Sequence, residues 1–280
     1  MIKTLLILFF FQTFSQNSDV QICTQKFEFA VSKNLSQRPI NEVIVEIGKT
    51  FLGTPYGEYT LEKNETENLV INLQALDCVT FYENCITLAR CIKMNNSTFE
   101  EYKKQLQYIR YRNGKIDGYS SRLHYTTDYF FENEKKGVLK IVTDEIFPKK
   151  AVKEISNTIN FMTTHRESYK QLKDENEYQK ILAIEKEINK RTLYFLPKAK
   201  ISQYEKNIQT GDIIGITTSI EGMDISHTGI AVKEKNGSAH FLHASTNKRE
   251  VQLTKETLHQ YLGNNKKHTG IIVARVQEPK

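Results

Sequence analysis

Residues 73–94 read LQALDCVTFYENCITLARCIKM and carry three of the chain's four cysteines. After Asp77 the apolar positions Val79, Tyr82, Ile86 and Ala89 recur at steps of three and four, the period of an amphipathic helix. Cys78 falls at the start of that helix, where the partial positive charge of the terminus favours a thiolate and lowers a thiol pKa. Cys85 and Cys91 lie further along, where the terminal field has faded and apolar neighbours act the other way. The segment therefore predicts one candidate nucleophile, Cys78, and two buried structural thiols. A core role for Cys78 remains open on this segment alone.

Working outward, a helical pattern over Val43–Phe51 ends at the turn cluster Gly53-Thr54-Pro55-Tyr56-Gly57. Residues 59–76 are mixed, with a strand-like apolar stretch at Leu69–Leu73. Residues 98–200 look mostly helical and strongly charged, above all from Lys149 to Lys190. The stretch from Arg110 to Tyr129 stands apart as a loop rich in Gly, Ser, Tyr and Arg. Beyond Pro197 the texture changes to short β-branched runs separated by turns: Asp212–Ile216, Thr228–Val232, His240–His243, Glu250–Leu253 and Gly270–Val276. These runs predict a small antiparallel sheet, and helix first with sheet last is an α+β order.

The 280 residues, 39% apolar and 26% charged, suit a globular protein with a substantial core. The apolar run Leu5–Phe11 behind Lys3, followed by Thr13-Phe14-Ser15-Gln16, predicts a signal peptide over residues 1–16. That run is shorter than the roughly 20 residues of a spanning helix, so an exported protein, periplasmic or secreted and without stable membrane insertion, is expected. Cys23 follows a polar stretch, which argues against a lipid anchor. The net charge of +6 is small and dispersed, which argues against a nucleic-acid partner. A monomer is expected. The cysteine spacing matches no disulfide framework or zinc pattern.

A nucleophilic thiol needs a base, and that base needs a polar group to hold its tautomer. Ser226-His227-Thr228-Gly229-Ile230 puts a histidine at the head of a strand, with Gly229 admitting close backbone approach. Phe241-Leu242-His243-Ala244-Ser245 puts a second on the next strand, so His227 can be the base and His243 its orienter. Directly paired strand residues lie about 5 Å apart between Cα atoms. Metal ligands or satisfied polar residues are the other readings of two sheet histidines. Zinc would want a third ligand, and His240 points to the opposite face. His165, His259 and His268 lie in charged contexts and read as solvated.

In chain order, Gly53-Thr54-Pro55-Tyr56, Asp77-Cys78, Gly211-Asp212-Ile213-Ile214, His227-Thr228-Gly229-Ile230-Ala231 and His243-Ala244-Ser245 together resemble the NlpC-type papain-like cell-wall hydrolases. Tyr111-Arg112-Asn113-Gly114 with Ser121-Arg122-Leu123-His124-Tyr125 resembles their N-acetylmuramoyl-L-alanine amidase-like branch. The resemblance spans about residues 40–276. It implies a papain-like α+β core, with the nucleophile helix packed on the sheet and a largely helical insertion. One catalytic domain over 17–280 is implied: a helical nucleophile half at about 40–95, an insertion at about 96–200 and the sheet at about 205–277.

The implied reaction is hydrolysis of the amide between N-acetylmuramic acid and L-alanine in peptidoglycan fragments, with no metal or cofactor. Cys78 matches the nucleophile, His227 the base and His243 the third polar member, and Tyr56 and Asp77 match groove positions. Ser226, Arg122, His124 and Tyr125 are further substrate-binding candidates, with Arg122 suited to a stem-peptide carboxylate and Tyr111, Tyr119 and Tyr125 to a sugar. Asp77 also suits a helix N-cap. Val79-Thr80 stands where most of the superfamily has serine and glycine. A stem-peptide endopeptidase, a non-catalytic wall-binding module and a zinc hydrolase are the other readings.

Overall fold

The computed structural model describes residues 18–280, so the leader expected at 1–16 lies outside the described residues. Helix α1 runs over residues 18–32, and α2 over Ile40–Lys49. The cysteine segment forms α3, Cys78–Lys93, followed by α4, Phe99–Arg110, and α5, Thr126–Lys135. Strand β1 (Leu139–Ile141), the turn-length α6 (Thr143–Ile146) and β2 (Lys153–Glu154) come next. They lead to α7 (Phe161–Thr164), α8 (Glu175–Ile188), β3 (Tyr194–Pro197) and the short α9 (Ile201–Tyr204). The C-terminal third is β4 (Ile213–Thr218), β5 (Ile225–Lys233), β6 (Ala239–Ser245), β7 (Glu250–Thr257), α10 (Leu258–Gly263) and β8 (His268–Val276). Among the described residues no helix is long and apolar enough to cross a membrane.

Helix α3 is the centre of the molecule rather than a helix with one wet face. Every residue from Thr80 to Ile92 is buried, because α2, α4 and strands β5 and β6 pack around it. Buried polar groups are costly unless paired, and most of those here are. Glu83 meets Arg110 Nε at 2.9 Å, Asn84 accepts from Tyr102 Oη at 2.5 Å, and Arg90 Nε donates to Gln105 at 3.0 Å. Helix α1 adds Cys23 and Phe27 to the same core. Its buried Asp19 accepts from Leu73 N at 2.9 Å and fixes the approach to α3.

The predicted sheet is present and larger than its sequence runs suggest. Eight strands take part, in the order β2-β3-β8-β4-β5-β6-β7, with β1 also paired to β8. The three added strands come from the stretch read as helical. They were hidden because they are only two to four residues long and lean on β8 and one another for partners. The Leu69–Leu73 stretch is not a strand; it has no regular secondary structure and is held where Arg110 donates to Val70 O at 2.5 Å. One sheet face packs on α2 and α3, and the other forms a second core with Leu258 and Leu262 of α10.

Gly211-Asp212 is an anchor of this architecture. Gly211 has φ +87°, and a Cβ there would stand 2.2 Å from the Asn41 carbonyl oxygen, so only glycine lets β4 begin against α2. The fully buried Asp212 receives both Nε (2.8 Å) and one terminal nitrogen (3.0 Å) of Arg275, clamping β4 to β8.

Candidate active site

Asp77 is the N-cap of α3, and its side chain accepts from Thr80 N at 2.7 Å while Thr80 Oγ1 accepts from Asp77 N at 2.9 Å. This reciprocal capping box gives a physical reason for threonine at position 80. Cys78 is thereby the first residue of the helix, with part of its surface open to solvent. Cys85 and Cys91 are fully buried, and all four cysteines are free thiols.

Strand β5 carries a bulge: Ile216 pairs with His227 and Thr217 with Ile225, leaving Ser226 over. Ser226 Oγ turns back to Ile216 O at 3.4 Å. The ladder between β5 and β6 runs from Ile230 and Leu242 to Lys233 and Ala239 and stops short of the histidines. The N-terminus of α3 docks at this end of β5, where Thr228 Oγ1 donates to Cys78 O at 2.9 Å.

His227 and His243 do not pair squarely, since continuing the ladder sets His243 across from Gly229. They are diagonal neighbours on one face, and His227 Nε2 lies 2.6 Å from His243 Nδ1. A Cβ on Gly229 would stand 2.7 Å from the Phe241 ring and from Leu242 O, so glycine is what lets the strands close beside the pair. Phe241 stacks on His243 at 4.8 Å, and Tyr261 of α10 lies 5.1 Å from His243 and 6.3 Å from His227. His268 belongs here too: it is buried, 6.2 Å from Tyr261, and not solvated as its charged context suggests. His165 is exposed and His259 half-buried.

Thr228 stands beside the thiol, its hydroxyl donating to Cys78 O, and no hydrogen bond joins the thiol to His227 among the described residues. Both lie near Tyr261, whose hydroxyl burial and then Cys78 hold above its ordinary pKa. The expected low thiol pKa is reversed. Burial, then the Asp77 carboxylate, pushes Cys78 up to about 12, against the opposing hydrogen bonds from Thr228. Burial and the neighbouring His243 and His268 hold His227 well below its ordinary range, and burial lowers His243 to about 4. Both shifts favour a neutral thiol and a neutral imidazole, forms that can exchange a proton during attack.

A cleft of about 610 Å³ opens beside Asp77 and Val79 and is lined by Tyr56, Arg122, His124, Tyr125, Tyr169 and Asp224, among others. It thus gathers the predicted groove residues apart from Ser226. Their free chemistry differs from expectation. Arg122 is already held by Glu62 at 2.6 Å and Glu67 at 3.2 Å, and it lies over the Tyr119 ring. Tyr125 Oη donates to Glu185 at 2.7 Å and accepts from Met162 N at 2.8 Å. Tyr119 and Tyr111 donate to Glu62 and Glu67 at 3.1 and 2.6 Å. Arg122, Tyr119 and Tyr111 thus hold Glu62, which lines the cleft, and Glu67, and Tyr125 holds Glu185, so these hydroxyls are already committed within the protein. Tyr56, half-buried beneath the Arg249 guanidinium, the exposed Tyr59 and the half-buried Phe161 and Tyr169 present aromatic faces at the cleft.

His124 Nε2 donates to Tyr119 O at 2.8 Å, and burial, then Arg122, holds the His124 pKa well below its ordinary range. Sequence reasoning missed Asp224, which accepts from Thr127 N at 2.8 Å and Thr127 Oγ1 at 2.9 Å. It caps α5, which has no side-chain cap of its own, from 97 positions away. Among the described residues, no three His, Cys, Asp or Glu side chains are grouped to hold a metal ion.

The fold has counterparts among solved structures. A solved N-acetylmuramoyl-L-alanine amidase from Bacteroides uniformis superposes with a TM-score of 0.79 at 35% identity, covering 85% of this chain and 99% of its own. A Bacteroides fragilis structure described as a putative xylanase gives 0.74 at 38% identity, covering 82% and 98%. A Legionella pneumophila protein gives 0.72 at 22% identity, covering 95% and 98%, and shares the fold. No curated protein matches the chain. Residues 46–271 match the AmiA-like family, described as N-acetylmuramoyl-L-alanine amidase-like, and the chain belongs to that family.

Proposed function

We propose that this chain is a cysteine-dependent amidase on a papain-like, NlpC-type scaffold. Its reaction hydrolyses the amide between N-acetylmuramic acid and L-alanine in peptidoglycan fragments. The observation that carries this reading is the hydrogen-bonded pair His227–His243 at 2.6 Å, held one residue from Thr228, the strand contact of Cys78. That pair leaves His227 Nδ1 uncommitted for the thiol. The family and the amidase neighbours supply the bond. Export through the N-terminal leader belongs to the same proposal.

In the mechanism the thiol turns from Thr228 toward His227, a tightening expected when substrate fills a site. His227 Nδ1 takes the proton as sulfur bonds to the lactyl carbonyl carbon. The oxyanion is received by Cys78 N–H and Tyr56 Oη, donors of a kind worth about 2.7 to 4 kcal/mol each. The imidazolium returns its proton to the alanine nitrogen as the C–N bond breaks, leaving a thioester and a free stem peptide. Water, deprotonated by His227, then cleaves the thioester.

Mass spectrometry of products from a defined disaccharide-tetrapeptide tests the bond. Release of an intact peptide beginning with L-alanine, and of sugar free of alanine, is the expected result. Sugar that keeps L-alanine would replace the amidase with an endopeptidase.

A further inference from the structure

The histidine pair makes a third contact that the mechanism above does not use. Gln252 of β7 is the direct ladder partner of His243, and its Nε2 stands 3.3 Å from His243 Nε2. Three groups are thus chained, Gln252 to His243 to His227, through one atom pair at each link. A neutral imidazole carries one proton, so each link dictates the next. When the Gln252 amide nitrogen donates to His243 Nε2, His243 must carry its proton on Nδ1 and donate it to His227 Nε2. His227 is then protonated on Nδ1 and cannot act as base toward the thiol. A half-turn of the amide presents its oxygen instead, and the chain reverses: His243 holds Nε2–H, His227 holds Nε2–H, and His227 Nδ1 has a free lone pair.

We propose that Gln252 is a positioning residue that sets the tautomer of the His227–His243 pair, with the amide oxygen turned inward in the reactive form. The proposal rests on the reading of Cys78 and His227 given above and adds the group that decides whether His227 can serve it. Aromatic neighbours offer no substitute, since Phe241 stacks on His243 and carries no donor or acceptor. The other titratable groups around the pair are Tyr261 of α10, with Glu256 of β7 beside it, His268 of β8 and Cys78 of α3. None of them hydrogen-bonds His243 Nε2 among the described residues.

The test compares Gln252→Glu, which can only accept at neutral pH, with Gln252→Met, which has the length but neither donor nor acceptor. Nitrogen-15 NMR of the imidazoles reads the tautomers in the resting protein. It is run in a Cys78→Ala background as well, so its outcome does not depend on catalysis. The carboxylate of Gln252→Glu should place the proton of His227 on Nε2 and move the acid limb of kcat/KM to higher pH. Gln252→Met should give mixed tautomers and lose kcat on the order of tenfold or more with KM little changed, since a misplaced imidazole proton disables a base. Gln252→Glu should recover most of that loss. Identical imidazole nitrogen signals in both variants and the parent would overturn the proposal, as would equal losses of kcat in the two. Turnover by Cys78→Ala would overturn the amidase mechanism while leaving the tautomer result standing.

Discussion

Asp77 does two things at once, and two substitutions separate them. Its carboxylate caps α3, accepting from Thr80 N at 2.7 Å and Thr80 Oγ1 at 2.8 Å, and it also raises the pKa of the adjoining thiol. Alanine removes both effects, and loss of an N-cap costs about 1 to 2 kcal/mol. For a chain of this size that is a fall in Tm of roughly 2 to 4 °C per kcal/mol. Asparagine keeps the accepting oxygen and removes only the charge. Burial raises the pKa of Asp77 itself, so a neutral side chain also escapes a desolvation cost. Asp77→Asn should therefore melt within a degree or so of the parent, while Asp77→Ala melts several degrees lower. Thiolate absorbance against pH should show Cys78 titrating lower in both. The reasoning fails if asparagine destabilises as much as alanine, or if the thiol titrates unchanged in both variants.

Three further outcomes follow from the same contacts. His243 has a folded pKa lowered by burial from 6.5 to about 4, so the unfolded chain binds its proton first. Stability is then lost as pH falls from 6.5 toward 4, by on the order of 3 kcal/mol. Urea titrations at pH 7 and pH 4 should show His243→Gln losing less than the parent, and equal losses would contradict this. Glu83 and Arg110 are ion-paired with side chains 2% and 3% exposed, so Glu83→Gln leaves a buried guanidinium underpaired. It should cost about 3 to 5 kcal/mol, with much of that recovered when Arg110→Met is added; no recovery in the double variant would deny the coupling. Cys85→Ser places a hydroxyl at a fully buried position and should lower stability by about 1 to 3 kcal/mol while turnover persists. A loss of turnover in the folded variant would give Cys85 a chemical role.

The start of α3 and the C-terminal strands were legible because local chemistry marks them. Asp77 caps a run with a helical period, and β-branched stretches from residue 213 to 276 are broken by turns. What escaped depends on distant partners. Glu83, Asn84 and Arg90 look like a solvated face until Arg110, Tyr102 and Gln105 are placed against them. Strands β1 to β3 are too short to show a period and exist because β8 offers an edge. The cap of α5 arrives from Asp224, and Gln252 meets His243 only through the register of a ladder. At the site, the meeting of His227 with His243 was readable from the order of the strands. The charge states were not, because burial outweighs the helix terminus at Cys78, and burial is a property of the fold.

The central claim is that sulfur at position 78 attacks the muramoyl carbonyl with His227 as base. Intact-protein mass spectrometry after acid quench, with a muramoyl-peptide substrate in excess, tests it directly. The parent should carry a muramoyl adduct on Cys78, and Cys78→Ala should give neither adduct nor free peptide. Peptide release at the parental rate by Cys78→Ala would contradict it.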